Sequence, residues 1–243
     1  MPAASYWSKT RAPRHSLLFA LPLLLLYEAL AYLLSGDAIA GVRNGADVLL
    51  KSAFLALGGR HGLTVFAVLL LSVGAVLVVR DRRRGPIEPR LFAGMLGESL
   101  VYAALLGVVA GTLTSLLMGR LSIVLAAGAF DQFNFPTQVM ISLGAGLYEE
   151  LVFRVLLVSG LAWLATRGLG WSPRAGAVTA IVLGALIFSA FHYVGPYGDP
   201  FQLDSFTFRA VAGGIFSGLY LTRGFGIAAW THALYDLLLA IFR

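Results

Sequence analysis

The chain contains no cysteine among its 243 residues. That excludes a disulfide framework, a thiolate nucleophile and any cysteine-based metal site. Charge is scarce too. Asp, Glu, Lys and Arg make up 12% of the residues, against about 25% in an ordinary soluble domain. Hydrophobic residues make up 58%, and mean hydropathy is +0.83. Several apolar stretches reach the roughly 18–20 residues that cross a bilayer, so the pattern predicts an all-α, polytopic transmembrane helical bundle. No internal repeat, low-complexity tract or aromatic-basic nucleic-acid motif is present. The net charge of +6 then reads as topology and contact with anionic lipid headgroups, with no nucleic-acid partner.

About seven spans are expected, near 15–35, 62–80, 91–118, 138–165, 177–194, 206–222 and 225–242. The stretch 45–58 is apolar but short and carries Asp47 and Lys51, which suits an interfacial or re-entrant helix. The loop RDRRRGPIEPR (80–90) holds five arginines and two prolines. It reads as a helix break on the positive side and as the edge of a peripheral N-terminal part. The loop GPYGDPFQLD (195–204) has no Lys or Arg and is placed on the other side. With this layout eleven basic residues fall on the N-terminal side, six on the other, and Arg154 within the membrane. That asymmetry predicts a cytoplasmic N-terminus. Lys9, Arg11 and Arg14 precede an apolar run, and Ala38-Ile39-Ala40 resembles a cleavage site. The run from Ser16 to Ser35 is long for a signal peptide, so an uncleaved first span is expected.

The polar residues that remain inside apolar runs are few. A charge at the centre of a membrane helix costs on the order of 2.5–3.5 kcal/mol even on the gentlest scale. The C-terminal half nevertheless places Glu149, Glu150 and Arg154 in one run, His192 near the end of the next, and His232 with Asp236 in the last. Glu150 and Arg154 are four residues apart and share a helix face, so they can pair. Glu149 is turned by about 100° from Glu150 and faces a different environment. A buried carboxylate without a full counter-charge suits a general base or acid. His232 and Asp236 share a face, and Phe188 lies one turn before His192. Three helices could thus bring Glu149, His192, His232 and Asp236 around one water-accessible cavity.

Blander readings stand beside this one. Glu150 with Arg154 is a structural ion pair, Glu149 a protonated core residue, and each histidine an interhelical hydrogen bonder. Glu28 reads as structural or as lining a substrate path. Trp7, Trp163, Trp171 and Trp230 read mostly as interfacial anchors. A proton-coupled transporter would also use intramembrane carboxylates and histidines, but no inverted repeat or pair of broken helices is visible.

Taken in order, Glu149-Glu150-x-x-x-Arg154, Phe188-x-x-x-His192 and His232-x-x-x-Asp236 resemble the EExxxR, FxxxH and HxxxN/D signature of the CPBP intramembrane proteases. These are the CAAX-protease, bacteriocin-processing or Abi-type enzymes. The resemblance covers roughly residues 135–243. It implies a catalytic helical core over 121–243 behind variable transmembrane helices over 1–120. It implies an intramembrane endopeptidase in which Glu149, assisted by His192, activates water. His232 and Asp236 would then polarise the scissile carbonyl and stabilise the oxyanion, with Glu150, Arg154 and Phe188 supporting the site. The last motif often ends in Asn. An ionised Asp236 cannot donate a hydrogen bond, so it is either protonated or orients His232. No cofactor is expected. A zinc-dependent version would use Glu149, His192 and His232 with a water as ligands, although HExxH, GxSG and GxGD are absent. The implied partners are the bilayer and a membrane-associated protein or peptide: a lipidated C-terminus, a peptide precursor or a sorting tail. The Ala, Gly, Leu and Arg bias is compatible with a GC-rich bacterium, so the expected location is a bacterial cytoplasmic membrane. A non-catalytic immunity or scaffold protein would keep the fold without the activity.

Overall fold

Asparagine, serine and proline set the starts of the key helices. The computed structural model describes residues 5–35, 41–119, 133–195 and 198–242. Among them every regular element is helical. A short α1 (Tyr6–Arg11) leads into α2 (Pro13–Ser35). Helices α3 (Gly45–Gly58) and α4 (Gly62–Arg82) follow, then α5 (Arg90–Leu117). Next comes α6 (Phe135–Gly144), which continues as a wider π-wound helix over Ala145–Glu149 and Leu151–Val158. A short α7 (Ser159–Trp163) and a last π turn end that rod. The chain finishes with α8 (Pro173–Phe191), α9 (Leu203–Arg223) and α10 (Phe225–Phe242). Asn44, Asn134 and Ser172 each accept a backbone N–H of the helix they open, satisfying donors that would otherwise lack a partner.

Among the described residues five stretches are long and apolar enough to cross a membrane: Pro13–Leu34, Gly45–Arg82, Arg90–Leu117, Pro173–Phe191 and Phe225–Phe242. The protein is thus an all-α, polytopic bundle. Two of the seven expected spans, 138–165 and 206–222, are helical but fall outside this set. The first alternates between α and π winding. The second carries Arg209, with Asp204 and Arg223 at its flanks. The stretch Gly45–Arg82 is not one straight rod. At Gly59 the chain takes φ +53°, a left-handed value that glycine tolerates, and α4 folds back on α3. The rings of Phe54 and Phe66 lie 5.2 Å apart, whereas twelve residues of straight helix would separate them by about 18 Å. At 14 residues, α3 is about 21 Å long, shorter than a hydrocarbon core of about 30 Å. The Ala38-Ile39-Ala40 stretch, Arg120, Arg243 and the 120/121 division lie outside the described residues.

Polar ties join the N-terminal residues to the loop 80–90. Lys9 pairs with Glu88 at 2.9 Å and Arg14 with Asp81 at 2.8 Å. The hydrogen bond from the Lys9 ammonium holds the Glu88 carboxyl below its usual range. Arg223, at the end of α9, reaches Glu98 of α5 and Thr10 of α1. These contacts put α1, the loop 80–90 and the α9–α10 turn at one end of the bundle.

Helix α10 is the central rod, packed against α2, α5, α6, α9 and the first π-wound stretch. Small residues allow the approach. A Cβ on Gly146 would stand 2.3 Å from the Ala229 carbonyl oxygen and 2.6 Å from Ala233 Cβ. A Cβ on Gly226 would stand 2.3 Å from the Ser16 carbonyl oxygen. Without side chains at these points the backbones come close enough to bring His232 beside the glutamates. Trp230 departs from the expected interfacial role. Its indole N–H donates to the Phe19 carbonyl at 2.6 Å, and its ring packs on Phe19. Trp7, Trp163 and Trp171 are exposed.

Candidate active site

Four elements converge on Glu149. It closes the first π-wound stretch and is 7% exposed. Its Oε1 accepts a 2.8 Å hydrogen bond from Asn44 Nδ2 at the start of α3. Its Oε2 is buried and has no hydrogen-bond partner among the described residues. That oxygen faces His192 Nε2 at 3.8 Å and His232 Nε2 at 4.0 Å. Both distances exceed direct hydrogen bonding and match a polar contact bridged by a small molecule such as water.

Each imidazole is fixed through its other nitrogen. His192, immediately after α8, directs Nδ1 at the Phe188 carbonyl oxygen, 2.9 Å away. A carbonyl only accepts, so Nδ1 carries the proton and Nε2 is turned to Glu149. His232 Nδ1 lies 2.8 Å from Glu150 Oε1. Asp236 Oδ2 stands 3.8 Å from His232 Nε2. The orienting hydrogen bond of His232 is therefore donated by Nδ1–H to Glu150, and Asp236 lines the same side of the ring as Glu149.

Glu150 also pairs with Arg154 at 3.2 Å, as their spacing predicts. Arg154 is buried between aromatic faces, with its guanidinium carbon 4.3 Å from the Phe188 ring centroid and 5.3 Å from that of Phe216. Phe216 stacks on His232 at 4.3 Å. Phe188 meets the rings of His192 and His232 edge-on, at 4.9 and 6.1 Å. Phe188 thus supports both histidines and the arginine at once. The structure brings together every residue of the three sequence motifs.

Two further residues stand at the site. Asn44 contacts Glu149 from 105 positions away. Arg209 of α9 lies within electrostatic reach of His192 and Asp236. It pairs with Asp199, and its guanidinium sits 5.3 Å from the Tyr193 ring centroid. Asn44 lies outside the three sequence motifs, and Arg209 counts in the sequence only among the basic residues of the second side. Neither pattern signals the site. Among the described residues no three His, Asp or Glu groups are gathered as metal ligands would be.

The arrangement offers a carboxylate oxygen without a partner, flanked by two ring nitrogens whose opposite faces are anchored. That is the geometry for moving a proton on or off a small bound molecule. Comparison with known proteins adds one finding. Residues 131–238 match the family model described as Rce1-like, type II CAAX prenyl endopeptidase Rce1-like. The match takes in all three motifs, from Glu149 to Asp236. No curated protein and no solved structure matches.

Proposed function

Residues 131–238 belong to the CAAX-type intramembrane protease family, and from that premise we propose a reaction: hydrolysis of a peptide bond in a membrane-associated protein or peptide by water that Glu149 activates. The observation that carries this reading is the convergence of Glu149 Oε2, His192 Nε2 and His232 Nε2 on one spot inside an apolar bundle. In the proposed step Glu149 Oε2 takes a proton from water while His192 Nε2 accepts the water's other hydrogen. The water oxygen bonds to the scissile carbonyl carbon. The developing oxyanion lies on the His232 side, where Nε2–H of the doubly protonated ring, its Nδ1–H held by Glu150, is the available donor. Collapse breaks the C–N bond, and the proton held by Glu149 passes to the leaving amine. The substrate class includes the lipidated tail that the family's name denotes, and equally a peptide precursor or sorting tail.

The proposed chemistry runs without a metal. The test is cleavage of a quenched membrane-anchored peptide by the purified protein in lipid vesicles. Hydrolysis that persists in excess EDTA and phenanthroline supports the reading. Loss on chelation with recovery on adding zinc replaces it with a metal-dependent hydrolase. Proton flux without hydrolysis replaces it with a transporter.

Asp236 allows a sharper expectation. We place its carboxyl, in the protonated form, as a second donor to the oxyanion. Asn supplies such a donor without needing a proton. Asp236→Asn should therefore hold turnover within about threefold of the parent. Asp236→Ala should lose about 10²-fold, the scale of one oxyanion donor. Equal loss in both variants, read in the same peptide assay, would remove the donor role.

A further inference from the structure

The N-terminal helices do more than surround the motif-bearing core. The geometry points to Asn44 as a positioning residue that holds the Glu149 carboxylate in register with the histidines. The inference rests on the reading of Glu149 as the base.

Asn44 is 3% exposed and uses both ends of its side-chain amide. Oδ1 accepts from the Ala46 N–H at 2.9 Å and caps α3. Nδ2 donates to Glu149 Oε1 at 2.8 Å. A carboxylate with one oxygen pinned presents the other in a fixed direction, and here Oε2 faces the two Nε2 atoms. Asn44 thus stands to Glu149 as Phe188 O stands to His192 and Glu150 to His232.

A charged cluster, buried except at Glu28, fixes Asn44 in turn. The Asn44 N–H donates to Tyr27 OH at 3.3 Å, and Tyr27 OH donates to Asp47 at 2.7 Å. Asp47 pairs with Arg43 and Lys51, each at 2.8 Å. Lys51 continues to Glu28 at 2.9 Å. Tyr148 OH donates to Glu28 at 2.7 Å, which returns the chain of contacts to the residue beside Glu149. Two cations and two anions balance, so the cluster links α2, α3 and the π-wound stretch without net charge. Glu28 is accordingly a tie between helices.

The backbone makes room for this contact and nothing larger. A Cβ on Gly144 would stand 2.4 Å from Tyr27 Cε2 and 2.8 Å from Asn44 Cβ. A Cβ on Gly45 would stand 3.2 Å from Phe191, the residue before His192. The start of α3 is therefore seated against two of the motif-bearing helices. An entropic cost accompanies each glycine within a helix, and here it coincides with the point where Asn44 must approach.

The test separates cap from positioner. Asn44→Ser keeps a cap acceptor but is too short to reach Glu149. Asn44→Asp keeps cap and shape but replaces the donor with an acceptor. Both are assayed with Glu149→Gln on the membrane peptide. Infrared spectra, taken as the difference from Glu149→Gln, isolate the Glu149 carboxylate band. The expected result for Asn44→Ser is a parental melting temperature and a shifted band. Its kcat should fall about tenfold to a hundredfold with KM unchanged, the scale of one charge-assisted hydrogen bond. Asn44→Asp should fall at least as far in kcat. A parental kcat and unshifted band in Asn44→Ser overturn the inference, and so does early melting of that variant, which would make Asn44 a residue of the fold. If Glu149→Gln itself cleaves, the base assignment fails separately, and the band shift alone decides whether Asn44 orients the carboxylate.

Discussion

Glu149→Gln is expected to lower turnover of a membrane-anchored peptide by about 10³-fold or more while leaving the fold intact. The substitution is nearly isosteric. Gln keeps an oxygen that can accept from Asn44 Nδ2, so the 2.8 Å contact to α3 survives. The other carboxylate oxygen has no hydrogen-bond partner among the described residues, so its replacement by an amide nitrogen breaks no bond seen there. What disappears is the ability to take a proton. General-base catalysis contributes about 10²–10⁴-fold, and among the described residues no other carboxylate pairs with both histidine Nε2 atoms. Asp236 approaches only His232, at 3.8 Å, and Glu150 is turned to His232 Nδ1 and Arg154. Single-turnover cleavage in vesicles, with thermal melting of the same preparation, provides the measurement. A stable Glu149→Gln protein that cleaves at the parental rate would transfer the base role to His192. A protein that melts early would make Glu149 a core residue held by Asn44.

Much of this site is legible in the sequence because membrane burial filters polar residues so severely. Glu149, Glu150, Arg154, His192, His232 and Asp236 stand out against apolar neighbours, and the four-residue spacing correctly pairs Glu150 with Arg154. The second partner of Glu150 was not legible. Its bond to His232 Nδ1 depends on α10 approaching across Gly146, a tertiary contact that no local period encodes. Winding was hidden for a related reason. A 3.6-residue period describes α-helix, and the π turns from Ala145 to Val158 carry more residues per turn without any change in hydrophobicity. Asn44 was the deepest omission. A polar residue before a short apolar run reads as a cap, and it is one. Its second contact lies 105 residues away and follows from how α3 packs against the first π-wound stretch. The five-span set differs from the expected seven for a physical reason too. The stretch 138–165 is divided by π winding into shorter helices, and α9 holds Asp204, Arg209 and Arg223 within its 21 residues, whereas α8 and α10 meet the site and still read as plain spans.

Replacing Glu150 with Met should cost about 3–5 kcal/mol of stability, the usual result of leaving a buried charge without its partner. The side chains of Arg154 and Glu150 are 1% and 0% exposed. The aromatic faces of Phe188 and Phe216 around Arg154 offer the cation some compensation, but not a full counter-charge. Arg154→Met should be milder, because Glu150 retains His232 at 2.8 Å. The informative protein is the double variant, Glu150→Met with Arg154→Met. Removing both charges and filling the space with apolar side chains of similar size commonly restores stability. Melting temperature should therefore return to near the parental value. Turnover should not, and should stay about 10²-fold or more below the parent, because His232 Nδ1 has lost the acceptor that fixes its ring. A purely structural ion pair predicts the opposite, with stability and turnover recovering together. Chemical unfolding and peptide cleavage on the four proteins of this cycle separate the two roles. On the geometry, Glu150 has both. One oxygen contacts the buried arginine and the catalytic-side histidine at once, so the helix that carries Glu149 is locked to the helix that carries His232 through the neighbouring residue.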